Sequence, residues 1–266
     1  MTRRVGTGQF LAWDSGCLFI GRHDRAVPHH AHQAIQFVAA SEGEHRVRSN
    51  DAEPWQSYSI AAVPSRQPHS IDVTGSEYGI VLFLEPESRE GRAIAQRCLR
   101  RGITEVGDEG RRAITRAIFE AWLGGAQEDI VRNCRLLVES LAAGIHPGAV
   151  TDERVERAIA YINAHVDRSL SLEEVAEHVC LSPSRFRHLF GEQTGMGLRP
   201  YILWRRFLRS WELIMRGATV SEAAHAAGFA DAAHLSRTCT RTFGFAPSAM
   251  PLTMAIPDPS PGSAVR

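Results

Sequence analysis

The sequence predicts an α+β chain of several domains. A β-rich N-terminal part with a helical pair leads into an all-α C-terminal part built on two helix-turn-helix units. Three observations predict this. Short β-branched and aromatic runs fill the first third, apolar spacing switches to a helical period after Pro86, and one helix-turn-helix pattern recurs about 48 residues downstream of itself.

The β-rich part comes first. Runs at residues 17–20, 35–38, 45–47, 58–63 and 80–84 are separated by Gly, Pro, Asn and Asp at roughly ten-residue intervals, which suggests a small all-β barrel or sandwich. The helical pair follows. Ala113, Ile114, Ala117, Ile118 and Ala121 mark residues 109–122, and Ile130, Leu136, Leu137 and Leu141 mark residues 129–141, with Gly124-Gly125 between them. The expected boundaries are 1–85 for the β unit, 86–146 for the helical pair and 151–250 for the all-α part. A linker is expected at 144–150 and a disordered Pro/Ser/Gly-rich tail at 251–266.

Composition narrows the class. A chain of 266 residues exceeds the usual ~100–200 of one domain, and 44% hydrophobic with 23% charged residues is ordinary for a globular protein. The longest clear apolar run, 78–84, is far below the roughly 18 residues a membrane span needs. The start, Met1-Thr2-Arg3-Arg4, lacks the apolar core of a secretory signal, so a cytoplasmic location is expected. Five scattered cysteines (17, 98, 134, 180, 239) without a C-x-x-C pair argue against disulfides or a thiolate zinc site. All basic residues are arginines. They are segregated: residues 182–241 hold nine arginines against four acids, whereas residues 151–180 hold three against seven. A basic stretch beside an acidic one fits a nucleic-acid-facing surface, although solvated helices give the same pattern.

The repeat carries most information. Ser171 with Glu174 and Thr219 with Glu222 are both capping-box pairs that should open short helices. Ala176 and Ala224 sit where two helices must approach closely. Tight turns follow at Cys180-Leu181-Ser182 and Gly228-Phe229-Ala230, and Ser182 (with Pro183) and Asp231 can cap the second helices. Phe186, Leu189 and Phe190 before Gly195 are matched by Leu235, Thr238 and Cys239 before Gly244. Between the copies, Leu203, Phe207, Leu208, Trp211, Leu213 and Ile214 define an amphipathic connecting helix studded with Arg205, Arg206 and Arg209. A spacer of that kind would hold two recognition helices about one DNA turn apart, near 34 Å.

The motif Ala176-x3-Cys180-Leu181-Ser182-Pro183-Ser184-x-Phe186-x3-Phe190 continues through Gly195, Tyr201-x4-Arg206, Ala224-x3-Gly228-Phe229-Ala230-Asp231, Arg237, Phe243-Gly244 and Pro247-Ser248. It resembles the DNA-binding domain of the AraC/XylS family of transcription regulators. The resemblance implies seven helices and sequence-specific binding of promoter or operator DNA. Contacts would fall on Ser184, Arg185, Arg187 and His188 in the first unit, and on Ala232, Ala233, His234, Ser236 and Arg237 in the second. Arg187 and Arg237 are chemically the strongest, since arginine pairs bidentately with guanine. Ser184 and Ser236 position more than they specify. Arg185 and Arg241 are as readily explained by solvation or a helix pair. RNA polymerase, a small-molecule effector and a second copy of the chain, through residues 109–143, are the implied partners.

His30-x-His32-x3-Gln36-x6-Gly43 and Pro64-x-Arg66-x2-His69 resemble the two cupin motifs, with Gln36 where glutamate is common and Arg66 in place of a glycine. Such positions hold a metal in metal-binding cupins, and three imidazoles with a carbonyl oxygen can ligate. The use expected here is instead an effector pocket in the barrel mouth lined by His30, His32, Gln36 and His69, with no metal, no cofactor and no catalytic residue. The competing reading is a cupin enzyme, a metal-dependent dioxygenase or isomerase with an accessory helical domain. A DNA-repair methyltransferase is dismissed, because Cys17, Cys98 and Cys134 lack a metal-clustering spacing.

Overall fold

A computed structural model describes residues 6–13, 15–99, 101–144 and 152–249. The expected tail, and the expected linker apart from Gly144, lie outside the described residues. The N-terminal part holds strands β1 (Gly6–Trp13), β2 (Gly16–His23), β3 (Val27–His30), β4 (Ile35–Ala40), β5 (His45–Arg48), β6 (Gln56–Tyr58), β7 (Ile60–Val63), β8 (His69–Asp72) and β9 (Gly79–Leu84). Helix α1 (Arg89–Cys98), strand β10 (Thr104–Glu105) and helices α2 (Glu109–Leu123) and α3 (Gln127–Ala142) follow. The C-terminal part comprises α4 (Glu153–Ala164), α5 (Leu172–His178), α6 (Pro183–Thr194), α7 (Leu198–Met215), α8 (Val220–Ala226), α9 (Ala232–Phe243) and a 3₁₀ turn, Pro247–Ala249. Where seven helices were implied, six α-helices and that turn are found among the described residues.

The strands form two antiparallel sheets, ordered β1-β2-β9-β4-β7-β10 and β3-β8-β5-β6. The expected barrel is therefore corrected: the described strands make two sheets packed face to face, not one closed ladder. Alternation along each strand explains the packing. Cys17, Phe19, Val81 and Phe83 point between the sheets, where they meet Val27, Val47 and Ile71 of the smaller one. Their neighbours Leu18, Ile20, Ile80 and Leu82 point to the other face and pack on Ile118, Trp122, Cys134 and Leu137 of α2 and α3. With both faces covered, every residue of β9 is buried, which is why this strand reads as a continuous apolar run.

The repeat is regular. Helices α5 and α8 have seven residues each and start 48 positions apart; α6 and α9 have twelve each and start 49 apart. Ser171, Ser182, Thr219 and Asp231 cap their helices through the side chain. Thr219 and Glu222 complete a reciprocal capping box. Glu174 does not return the favour in the first copy, because its carboxylate accepts from Tyr161 Oη at 2.7 Å and pairs with Arg168 at 2.5 Å. Gly195 and Gly244 end α6 and α9 in the left-handed conformation, with φ of 70° and 75°. The first unit has its own core of Val155, Val175, Phe186, Phe190 and Tyr201. The second does not: Trp204, Phe207, Trp211, Leu235 and Phe243 merge with the apolar layer between the two sheets.

Candidate DNA interface and the cluster beneath it

The described face of α6 alternates as a surface helix should. Phe186, Leu189 and Phe190 are buried, while Ser184, Arg185, Arg187 and His188 are exposed around one shallow concavity. In α9, Leu235, Thr238 and Cys239 are buried, and Ala233 and Arg237 lie exposed one turn apart. Ala232 and Ser236 are half-buried. His234 is half-buried too: its ring meets Phe229 edge-on with centroids 5.3 Å apart, so part of its role is packing. With the 49-residue offset, Arg187 corresponds to Ser236 and Arg237 to His188. The two units therefore present different donor chemistry at matching positions.

The connecting helix α7 has 18 residues, about 27 Å at 1.5 Å each. Arg205 and Arg206 act on protein. Arg206 donates from Nε to the Val166 carbonyl and from Nη2 to that of Arg168, both at 2.9 Å, binding α4 and its exit loop to α7. Arg205 pairs with Glu85 at the end of β9. Beside that pair Glu87 is buried, and burial together with the Glu85 charge pushes its carboxyl up to about 7. Arg66, in the left-handed region at φ 62°, donates to the Gly195 carbonyl at the end of α6. Gly244, ending α9, lies so close to β3 that a Cβ there would sit 3.0 Å from the Pro28 carbonyl oxygen. Both helix-turn-helix units are thus fastened to the β unit.

The structure brings His30, His32, Gln36 and His69 together in the layer between the sheets, all buried. Burial, with the mutual repulsion of the rings, lowers His30 to about 3 and His69 to about 2, and burial lowers His32 to about 4. The rings are therefore neutral at ordinary pH. His32 stacks on Phe243 of α9, with centroids 6.1 Å apart at 20°. Above it opens a cavity of about 430 Å³ between the β unit and the second helix-turn-helix. Its floor is Leu203, Trp204 and Phe207, and Arg199 and Arg241 stand at its rim. Sequence reasoning missed this site. The aromatic positions of α7 carry the period of a helix core, and nothing local distinguishes a stripe facing its own domain from one facing another.

The architecture is thus two sheets with helices packed on one side and a tandem helix-turn-helix domain on the other. Comparison with known proteins agrees. A family described as a helix-turn-helix domain matches residues 175–251. The arabinose operon regulatory protein of Escherichia coli K12 is 34% identical over 116 residues, 42% of this chain and 38% of that protein. Regulatory protein PocR of Salmonella typhimurium is 30% identical over 99 residues, 37% of this chain and 33% of that protein. The matches thus span well under half the length of these relatives. A solved structure of a ToxT variant from Vibrio cholerae superposes with a TM-score of 0.58 over 89% of this chain and 96% of that one, at 13% identity, a likeness of fold. Residues 175–251 thus match a helix-turn-helix domain, and the C-terminal part of this chain is similar to parts of the arabinose operon regulatory protein and PocR.

No helix among the described residues is long and apolar enough to cross a membrane.

Proposed function

We propose that this protein is a sequence-specific, DNA-binding transcription regulator that acts in the cytoplasm under the control of a small-molecule effector, and that it is not an enzyme. One observation carries the reading: two helix pairs of identical length, 48–49 residues apart, each presenting an exposed polar face. In this reading Ser184, Arg185, Arg187 and His188 contact one stretch of DNA, and Ala232, Ala233, His234, Ser236 and Arg237 contact the next. Arg187 and Arg237 read guanine, worth about 1–3 kcal/mol of discrimination each. Ala232 and Ala233 offer thymine-methyl contacts. Because the units differ at matching positions, the bound site is two unlike half-sites in tandem. RNA polymerase is the downstream partner.

The 430 Å³ cavity is within the range of organic ligand sites. Two guanidinium groups over an aromatic floor favour an apolar molecule bearing an anionic group. ToxT has been solved with an unsaturated fatty acid bound, a ligand of that general chemistry. Such an effector would wedge between Trp204 or Phe207 and the β unit, and shift the population of arrangements in which α9 is free to dock. A homodimer through α3 is the remaining element of the reading. Leu136 is 44% exposed there, beside Val131 and Leu11. Selection of genomic fragments by the purified chain tests the core of the proposal: enrichment of a bipartite motif supports it, and retention of fragments without sequence preference contradicts it.

A further inference from the structure

Gly195 and Gly244 are equivalent positions of the repeat, 49 residues apart, and each ends the second helix of its unit. Both touch the β unit. The Gly195 carbonyl accepts from the Arg66 guanidinium. The Gly244 backbone rests on β3, where a Cβ would meet the Pro28 carbonyl oxygen at 3.0 Å and Val27 Cγ1 at 3.2 Å. These two seats belong to one piece of the β unit. Strands β3 and β8 pair, with His30 opposite His69. Beyond them the Arg66 amide donates to the His32 carbonyl at 2.7 Å, and the Ser65 hydroxyl donates to the Gln33 carbonyl at 2.5 Å. The segment that seats the end of α9 is thus bonded to the loop that holds the end of α6. His32, stacked on Phe243, adds a second contact on the α9 side.

Arginine is a costly residue at position 66. Its φ of 62° lies in the left-handed region, which glycine occupies freely and a residue with a Cβ does not. Among the described residues, Cys180 is the only other non-glycine residue there. Backbone strain of this kind persists where the surrounding contacts over-determine it. The contact Arg66 makes suits its charge. The last carbonyls of a helix lack intrahelical partners and form the negative end of its dipole, so a cationic donor at the end of α6 satisfies both.

We propose that Arg66 is a positioning residue for the two exposed helices: by holding the end of α6 to the loop pair that seats the end of α9, it makes the β unit a second brace, besides α7, on their separation and relative orientation. Its use in recognition rests on the DNA-binding reading above; the brace itself does not. One base pair of displacement turns a half-site by about 35° around the duplex. A loosely tethered pair of helices accepts several half-site spacings, and a braced pair accepts one. Ala31 and Gln33 also line the 430 Å³ cavity, so through this loop pair an occupant would reach the end of α6 as well as α9.

Arg66→Gly tests the proposal, because glycine suits the backbone there and only the guanidinium is lost. The first readout needs no DNA. Nitroxide labels at Arg187→Cys and Arg237→Cys report the distance between α6 and α9 by pulsed electron resonance, in a full-length chain whose accessible native cysteines are replaced (Cys98→Ser, Cys180→Ser). A narrow distribution that Arg66→Gly broadens or shifts is expected. The second readout is affinity for the selected site and for versions with one base pair added or removed between its halves. Each change should weaken binding of the wild-type chain about tenfold, the scale of one mismatched base pair, and that of Arg66→Gly about threefold or less. A merely structural role for Arg66 would weaken all three sites alike. A distance distribution that Arg66→Gly leaves unchanged overturns the proposal, since α7 and the contact between Gly228 and Val166 then set the spacing alone. A spacing penalty as steep in the variant as in wild type overturns it too. Broadening in a chain that selects no bipartite site would uphold the brace and remove the DNA-binding reading instead.

Discussion

Arg187 and Arg237 project from α6 and α9 as exposed side chains on helices whose opposite faces are buried. Truncating either should leave the fold intact. We predict that Arg187→Ala and Arg237→Ala each reduce discrimination between the selected site and a guanine-substituted one by about 1–3 kcal/mol, read by fluorescence anisotropy at fixed salt. Equal discrimination in both variants would remove them as reading residues. Glu87 supports a second prediction at this scale. Its folded-state pKa, about 7, lies above the ordinary 4.5, so its contribution is fully present below pH 4.5 and is lost as pH rises through 7. Glu87→Gln should therefore be more stable than wild type at pH 8, by up to about 3 kcal/mol, and no more stable at pH 4.5. Denaturant unfolding of both chains across that range checks it, the buried histidines being common to the two. Arg187 was legible in the sequence because a capped amphipathic helix fixes its outward direction locally. Glu87 was not, because its burial depends on Tyr201 and Arg205, more than a hundred residues away.

Among the elements, the repeat offers a comparison within one chain. Cys180 and Gly228 occupy the same place, after the first helix of each unit, and both are left-handed, with φ of 57° and 80°. Glycine adopts that conformation freely; cysteine pays about 1–2 kcal/mol. Cys180→Gly should stabilise the chain by up to about 1 kcal/mol after the added unfolded-state freedom is subtracted. Gly228→Ala should destabilise it by more than that, since a Cβ there would lie 2.6 Å from the Val166 carbonyl oxygen and 2.9 Å from Arg206 Nε. Thermal melts of the two variants in opposite directions support this; a stabilised Gly228→Ala contradicts it. Caps, turns and helix pairs of this kind were readable because they are set by neighbours within four residues. The order of the strands was not, since β2 pairs with β9 across some sixty residues. Short strands such as β3 and β8, rich in histidine, carry no apolar alternation to announce them.

For the molecule as a whole, the consequential feature is the apolar layer that runs from between the sheets into the second helix-turn-helix. Phe243 stands at its centre, stacked on Phe207 with centroids 4.0 Å apart and edge-on to Phe83 at 5.5 Å. Removing such a ring costs about 3–5 kcal/mol. Phe243→Ala should lower the melting temperature of the β unit and the second unit together, and proteolysis should then release the C-terminal part first. Separate melting of an unaffected β unit would show that the layer is not shared in solution. In the sequence Phe243 stands only as part of the Phe243-Gly244 motif, and its partners across the junction become visible only once the chain is folded. This shared layer also places the 430 Å³ cavity against α7 and α9, and on the proposed function a ligand there would act on α9 by displacing packed aromatic side chains.

On the proposed function, two unlike helix-turn-helix units joined by α7 grip one face of a duplex. Hydroxyl-radical footprinting of the full chain on its selected site tests it most directly. Two protected patches about one helical turn, 10–10.5 base pairs, apart on the same face are expected. A single patch, or two on opposite faces, would contradict it.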